Sequence, residues 1–185
     1  EVVYLNDQEI AIINNGKLTI KDTSNLPLTP YVQTVDLELE AIEKGGFEHF
    51  MLKEIFEQPK VLEDVFRGRI NFETNELHSD TLERISELGI ERVTIVASGT
   101  SYHAGLMGKY YLEEFADLPT DVIVSTEFKY KKKFIHSNEL YIFVSQSGET
   151  ADTLDSLKTV KEQGGHVFGV VNVPGSSIAR AAGQG

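Results

Sequence analysis

Leu140-Tyr141-Ile142-Phe143-Val144-Ser145-Gln146-Ser147-Gly148-Glu149-Thr150 joins an unbroken apolar run to a loop of three hydroxyls, an amide and a glycine. Alternating residues would mark a strand wetted on one face, whereas a continuous β-branched and aromatic run marks a strand buried on both. Beyond the loop, Leu154, Leu157 and the stem of Lys161 share one helical face, and Gly164-Gly165 ends the helix. His166 to Val171 reads as a further strand, and Asn172 to Ser177 leads into a short last helix. Upstream the pattern repeats. Val93-Thr94-Ile95-Val96-Ala97 is a buried strand, Ser98-Gly99-Thr100-Ser101 a small hydroxyl-rich loop, and Tyr102 to Phe115 a helix. Val122-Ile123-Val124 lies between the two units as another strand. Strand and helix alternating at this spacing predict an α/β fold: a parallel sheet flanked by helices, doubly wound in three layers.

The first half has a different texture. Val2 to Leu5 and Ile10 to Ile13 read as a hairpin about Asn6-Asp7, and Asn14-Asn15-Gly16 turns the chain into Leu18-Thr19-Ile20. Three such strands form no independent core. Residues 21–35 hold Asn25, Pro27 and Pro30 without periodicity and read as a linker. Residues 36–58 read as a helix with Phe47, Phe50, Met51 and Ile55 on one face, interrupted at Gly45-Gly46. Pro59 suits the first turn of a new helix, with Val61, Leu62, Val65 and Phe66 apolar and Gly68 as its stop. A short helix from Asp80 to Leu88 aligns Leu82, Ile85 and Leu88.

The two hydroxyl-rich loops carry the chemistry. Each follows an apolar strand and opens a helix, where backbone N–H groups have no intrahelical partner and the helix dipole adds partial positive charge. Ser and Thr hydroxyls add donors, and Gly99 and Gly148 let an anion come close to the backbone. Such a site holds a phosphate without Lys or Arg. Ser and Thr are also the preferred helix caps, so one loop alone reads more readily as a cap. Two of them on one sheet favour the anion. The spacing matches neither a Walker loop nor Gly-x-Gly-x-x-Gly, so a phosphate monoester suits it better than a nucleotide pyrophosphate. Glu149 reads as an acidic residue favourable to the dipole of the helix it opens, rather than as a catalytic base. His103 reads as a partly buried, satisfied histidine. His49, His78, His136 and His166 show no ligand spacing, so no metal is expected. Gly175-Ser176-Ser177 reads as a turn.

Composition removes several classes. The 185 residues carry a net charge of -12 and no cysteine, which excludes disulfides, thiolate metal sites and a cysteine nucleophile within the chain. Acidity concentrates in residues 31–91, with 15 Asp and Glu against 6 Lys and Arg, as on exposed helix faces. The one basic run, Lys129 to Lys133 around Tyr130, reads as a solvated loop, so no nucleic-acid partner is expected. No apolar run reaches the ~18 residues of a membrane span, and no signal peptide is visible, which fits a cytoplasmic protein.

With these residues identified, the sequence resembles the glutamine–fructose-6-phosphate aminotransferases, also called glucosamine-6-phosphate synthases. Ser98-Gly99-Thr100-Ser101-Tyr102-His103-Ala104-Gly105 and the run from Ser145 to Leu154 are similar to the first half of that family's sugar isomerase region. Phe50 to Pro59 resembles the helix entering it, and Val173 to Ser177 matches further on. The resemblance implies that residues 1–24 close a glutaminase domain, 25–58 form an interdomain linker and helix, and 59–185 form the first sugar isomerase domain. It further implies an enzyme that takes ammonia from glutamine and converts fructose 6-phosphate into glucosamine 6-phosphate, entering hexosamine and UDP-N-acetylglucosamine synthesis. Thr100, Ser101, Ser145, Gln146, Ser147 and Thr150 match the hexose-phosphate positions. The glutaminase cysteine and the isomerase Lys, Glu and His match nothing here, so the chain is expected to be an inactive fragment with no catalytic residue and no cofactor. Homo-oligomers are implied as well. Ser98 departs from the family, many of whose members carry Cys or Ala there, and Ala181 to Gly185 departs from its acidic continuation. The rival expectation is a non-catalytic sugar-phosphate-sensing or dimerisation module. The DNA-binding segment of such a regulator is not visible, Phe47 to Gly68 being too acidic.

Overall fold

The computed structural model describes residues 2–33, 43–71, 73–74, 76–77, 79–132 and 134–183. They form two compact units, Glu1–Arg67 and Gly68–Gly185.

In the first unit, β1 (Val2–Val3) is followed by β2 (Glu9–Asn14), β3 (Lys17–Asp22), β4 (Pro27–Leu28) and β5 (Val32–Gln33). β2 and β3 form the expected hairpin, Asn14 opposite Lys17. Two sequence expectations change here. Val2 and Val3 pair with Gln33 and Val32, not with β2. The stretch 21–35 is also not free of structure, since Ile20 pairs with Leu28 and Lys21 with Pro27. Pro27 is tolerated because an edge strand need not donate on both sides.

Helix α1 spans Phe50–Phe66 with Pro59 inside it. Of the helix expected over 36–58, residues 36–42 lie outside the described ones, and 43–49 are turn and bend, so Phe47 precedes the helix. Nor does a second helix begin at Pro59. The ring removes one backbone donor from α1, which runs on because good helix formers flank it. Its apolar residues Phe50, Met51, Ile55, Val61, Leu62 and Val65 are exposed, and the buried side chain is Lys53. Lys53 Nζ donates to the Glu43 carbonyl at 2.6 Å and lies 3.5 Å from Glu57.

The second unit opens with β6 (Ile70–Asn71), β7 (Glu76–Leu77) and α2 (Asp80–Ser86), which stops two residues short of the expected Leu88. The sheet follows: β8 (Arg92–Ala97), α3 (Gly99–Ala116), β9 (Thr120–Val124), α4 (Ser125–Tyr130), β10 (Glu139–Ser145), α5 (Ala151–Glu162), β11 (His166–Val171) and α6 (Ser177–Ala182). Its order is β11-β10-β8-β9, all parallel. Helix α4 was not expected. Six residues are too few for periodicity to register, and the basic run hid its end, so Lys129 and Tyr130 are helical rather than loop.

Period-two alternation divides the core. Val93 and Ile95 face one side with Leu140, packed by Ile85, Leu112, Leu118 and Phe168. Val96, Tyr141 and Phe143 face the other, against Phe128, Leu157, Val160, Ile178 and Ala182. Each fully buried Phe, Leu or Val side chain contributes about 1.5–3 kcal/mol. α3 therefore lies on one face and α4, α5 and α6 on the other. Gly105 lets α3 press close: a Cβ there would come within 3.0 Å of Ile95 and Val122.

Candidate functional site

Within the sheet, β8 stands between β9 and β10. The chain leaves β8 toward β9 through α3, then crosses to β10 on the opposite side. The boundary between β8 and β10 is thus where strand order reverses, and open α/β sheets hold ligands outside the carboxyl ends at that boundary. The loops leaving these two strands are the two hydroxyl-rich ones. Ala97 lies opposite Val144, so Ser98 to Ser101 and Ser145 to Thr150 leave the sheet side by side. Sequence pattern alone identified both loops but not their adjacency.

Ser145 is 4% exposed and ends β10. Its hydroxyl oxygen accepts the Gly148 N–H at 3.0 Å and lies 3.2 Å from Thr150 Oγ1, closing the loop on itself. Ser147 is exposed, and its oxygen accepts the Glu149 N–H at 3.2 Å. That bond leaves its own O–H free to donate outward. Gln146 is exposed beside it. Gly148 adopts a φ of +68°, and a Cβ there would fall 1.9 Å from Ser176 Oγ and 2.6 Å from Val171. Only glycine fits the left-handed backbone and this contact together.

Ser98, Thr150 and Ser176 precede α3, α5 and α6, and none makes a side-chain capping bond. The first-turn amides of α3 and α5 are therefore not occupied by the capping hydroxyls that the sequence left as the rival reading. Thr100 is exposed and Ser101 half-buried, with no side-chain hydrogen bond among the described residues. All six candidate residues gather at these two strand ends, Ser145, Gln146, Ser147 and Thr150 in the loop after β10, but Thr100 and Ser101 in the first turn of α3, which begins at Gly99 rather than at the expected Tyr102.

Two sequence expectations change at the site. Glu149 does not serve the dipole of α5, which begins at Ala151. Its Oε1 accepts the Ser177 N–H of α6 at 2.8 Å. That hydrogen bond holds its carboxyl below the usual carboxylate value, with the Arg180 guanidinium adding attraction. His103 is exposed rather than partly buried, its ring 5.6 Å from that of Tyr102 in an edge contact.

At the opposite, amino ends of β8 and β10 lies a polar cluster that sequence pattern missed. Glu139 is 4% exposed and accepts from Thr94 Oγ1 at 2.6 Å and from Tyr141 OH at 2.7 Å, with Arg92 Nε 3.6 Å away. Burial, and then the Glu139 carboxylate, push the Tyr141 phenol well above its ordinary value. A cavity of about 210 Å³ opens beside it. Glu139 begins an apolar run, where an acidic residue ordinarily marks a solvated strand end. Only pairing across 45 residues shows it buried. Among the described residues, no group of three or more His, Asp or Glu is placed to hold a metal ion, and no helix is long and apolar enough to cross a membrane.

The family model for the SIS domain matches residues 89–184. A glutamine–fructose-6-phosphate aminotransferase [isomerizing] of Chlorobaculum tepidum is 48% identical over 184 residues, covering 97% of this chain and 30% of the relative. One of the same name from Bacteroides thetaiotaomicron is 48% identical over 188 residues, covering 100% of the chain and 31% of its own length. Among solved structures, the C-terminal domain of glucosamine-fructose-6-phosphate aminotransferase from Francisella tularensis superposes with a TM-score of 0.68 at 37% identity, over 75% of this chain and 39% of that one. Glucosamine-6-phosphate deaminase from Thermotoga maritima, at TM-score 0.56 and 23% identity over 72% of this chain and 38% of its own, shares the fold. The chain thus spans about three tenths of the length of the curated relatives it matches.

Proposed function

The chain belongs to the SIS domain family, and on that premise we propose that it is the sugar-phosphate-binding part of a glutamine–fructose-6-phosphate aminotransferase. The observation that carries this reading is the meeting of two hydroxyl-rich segments, neither with a Lys or Arg, at the strand-order reversal between β8 and β10. Amides of the first turns of α3 and α5 and the hydroxyls of Thr100, Ser101, Ser147 and Thr150 surround the phosphate of fructose 6-phosphate or glucosamine 6-phosphate. Gln146 reaches the sugar, and Ser145 shapes the loop. Loops of this kind need no lysine because α-helix amino ends supply both donors and partial charge.

The chemistry belongs to the remainder of the longer protein. Residues 1–24 are the closing strands of a glutaminase domain that draws ammonia from glutamine, 25–58 the connection, and 59–185 the first half of the isomerase region. The isomerase regions assemble as homo-oligomers in the cytoplasm. The chain by itself binds hexose phosphate and turns nothing over.

Calorimetric titration of the chain with fructose 6-phosphate, with fructose as the unphosphorylated control, tests the binding claim. Fructose 6-phosphate is expected to bind and fructose not. Ser147→Ala should weaken binding by about 1–3 kcal/mol through loss of a hydroxyl-to-anion bond. Equal affinity for the two sugars, or an unchanged affinity in Ser147→Ala, would sink the assignment. Glucosamine 6-phosphate formation by the chain alone would overturn the division of labour.

A further inference from the structure

The two amides that open α6 both point into the loop 145–150. Ile178 N–H donates to the Gly148 carbonyl at 2.9 Å, and Ser177 N–H donates to Glu149 Oε1 at 2.8 Å. The first amides of a helix have no partner of their own, so these bonds satisfy α6 while tying it to the loop. Ser176, 1% exposed, packs its hydroxyl against Gly148 from beneath and finds no hydrogen-bond partner there. Arg180 donates to the Gly175 carbonyl and lies 3.4 Å from Ser177 Oγ, bracing the turn from the far side. A free carboxylate in a phosphate-binding loop would repel a dianion. Here the carboxylate accepts from the amino end of α6.

We propose that Glu149 is a positioning residue: its carboxylate latches the loop 145–150 to the start of α6, holding the loop in shape and directing its negative charge away from the phosphate. The inference rests on the sugar-phosphate reading of that loop. The loop after β10 and the turn after β11 then respond to the ligand as one body, although 28 residues separate Glu149 from Ser177.

Three variants of the chain test it. Glu149→Ala removes the acceptor. Glu149→Gln keeps an acceptor oxygen without the charge. Ser177→Pro removes the donor at the first helical position, where proline is well accepted, and Ser176 already has the extended backbone proline requires before it (φ -64°, ψ 166°). Affinity for fructose 6-phosphate should fall roughly 5- to 20-fold in Glu149→Ala and in Ser177→Pro. The double variant should be no worse than either single one, because both break the same bond. Glu149→Gln should restore most of the affinity. Amide hydrogen exchange at Gly148 and Glu149, followed without ligand, should quicken in Glu149→Ala and Ser177→Pro but not in Glu149→Gln. Additive losses in the double variant, or exchange unchanged in all three, overturn the latch. If fructose 6-phosphate fails to bind the unmodified chain while the exchange pattern holds, the sugar-phosphate reading fails and the latch stands as structure only.

Discussion

Ser145 and Ser147 differ by two positions and have opposite surroundings. Ser145 is 4% exposed and its oxygen accepts from Gly148 within the loop, whereas Ser147 faces solvent. Ser145→Ala is therefore expected to lower the unfolding free energy by about 1–3 kcal/mol, as a buried N–H loses its acceptor. Ser147→Ala should leave stability within about 0.5 kcal/mol, as surface changes do. Urea titration of both variants measures the contrast. Gly148→Ala should cost more than Gly99→Ala. Both glycines have positive φ, but a Cβ at Gly99 meets nothing within 4 Å, while one at Gly148 overlaps Ser176 and Val171. The titration of Glu149 has a definite sign. Its folded pKa is depressed below 4.5, so its contribution is complete above that value and is lost as pH falls through the folded pKa. The dianion of a phosphate monoester takes up a proton at about pH 6. Binding that weakens between about pH 7 and 5 should therefore follow the ligand, with the protection of the Glu149 amide, its exchange rate relative to an unstructured amide at the same pH, unchanged over that range; lost protection there would contradict the depressed carboxyl.

At the scale of elements, α1 carries a proline in its tenth position of 17. Pro59 cannot donate to the Ile55 carbonyl and its ring crowds that turn. Pro59→Ala is expected to raise helicity by circular dichroism and to stabilise α1 by about 1–3 kcal/mol. An unchanged or lower helicity would mean that the proline ring is needed where it lies. The pattern of apolar residues in α1 was plain in the sequence; that it runs through Pro59 was not, because proline at a first turn and proline within a helix look alike until the preceding turn is seen. Helix α4 shows the converse case. Ser125, Thr153 and Ser156 are fully buried, with Ser125 Oγ 2.7 Å from Thr153 Oγ1. A hydroxyl pair joining α4 to α5 gives no periodic signal. Lys129 adds to the same joint: its hydrogen bond to Asp152, and then Asp155, raise its pKa.

At the scale of the molecule, the chain carries a net charge of -12, and the loops of the site contain no Lys or Arg. Salt screens the repulsion between an anionic ligand and a chain of negative net charge, and there is no cationic side chain in the loops for salt to weaken. Raising NaCl from about 0.05 to 0.3 M, which shortens the Debye length to roughly 6 Å, should leave fructose 6-phosphate affinity unchanged or up to about twofold better. A severalfold loss would point to a cation in contact with the phosphate. The sequence by itself determined the α/β class, the buried strands, and the two loops able to hold an anion. Each of these is written in neighbouring residues, through period-two or period-3.6 burial and through hydroxyls and glycine at a strand-to-helix turn. Only the tertiary structure decided that β8 and β10 are neighbours, that β1 pairs with β5, that Glu139 is buried against Thr94, and that Glu149 serves α6 rather than α5. These depend on which distant segments meet. Strand order and hydrogen-bond partners across 28 or 45 residues are fixed by packing the whole sheet, and no local pattern encodes them.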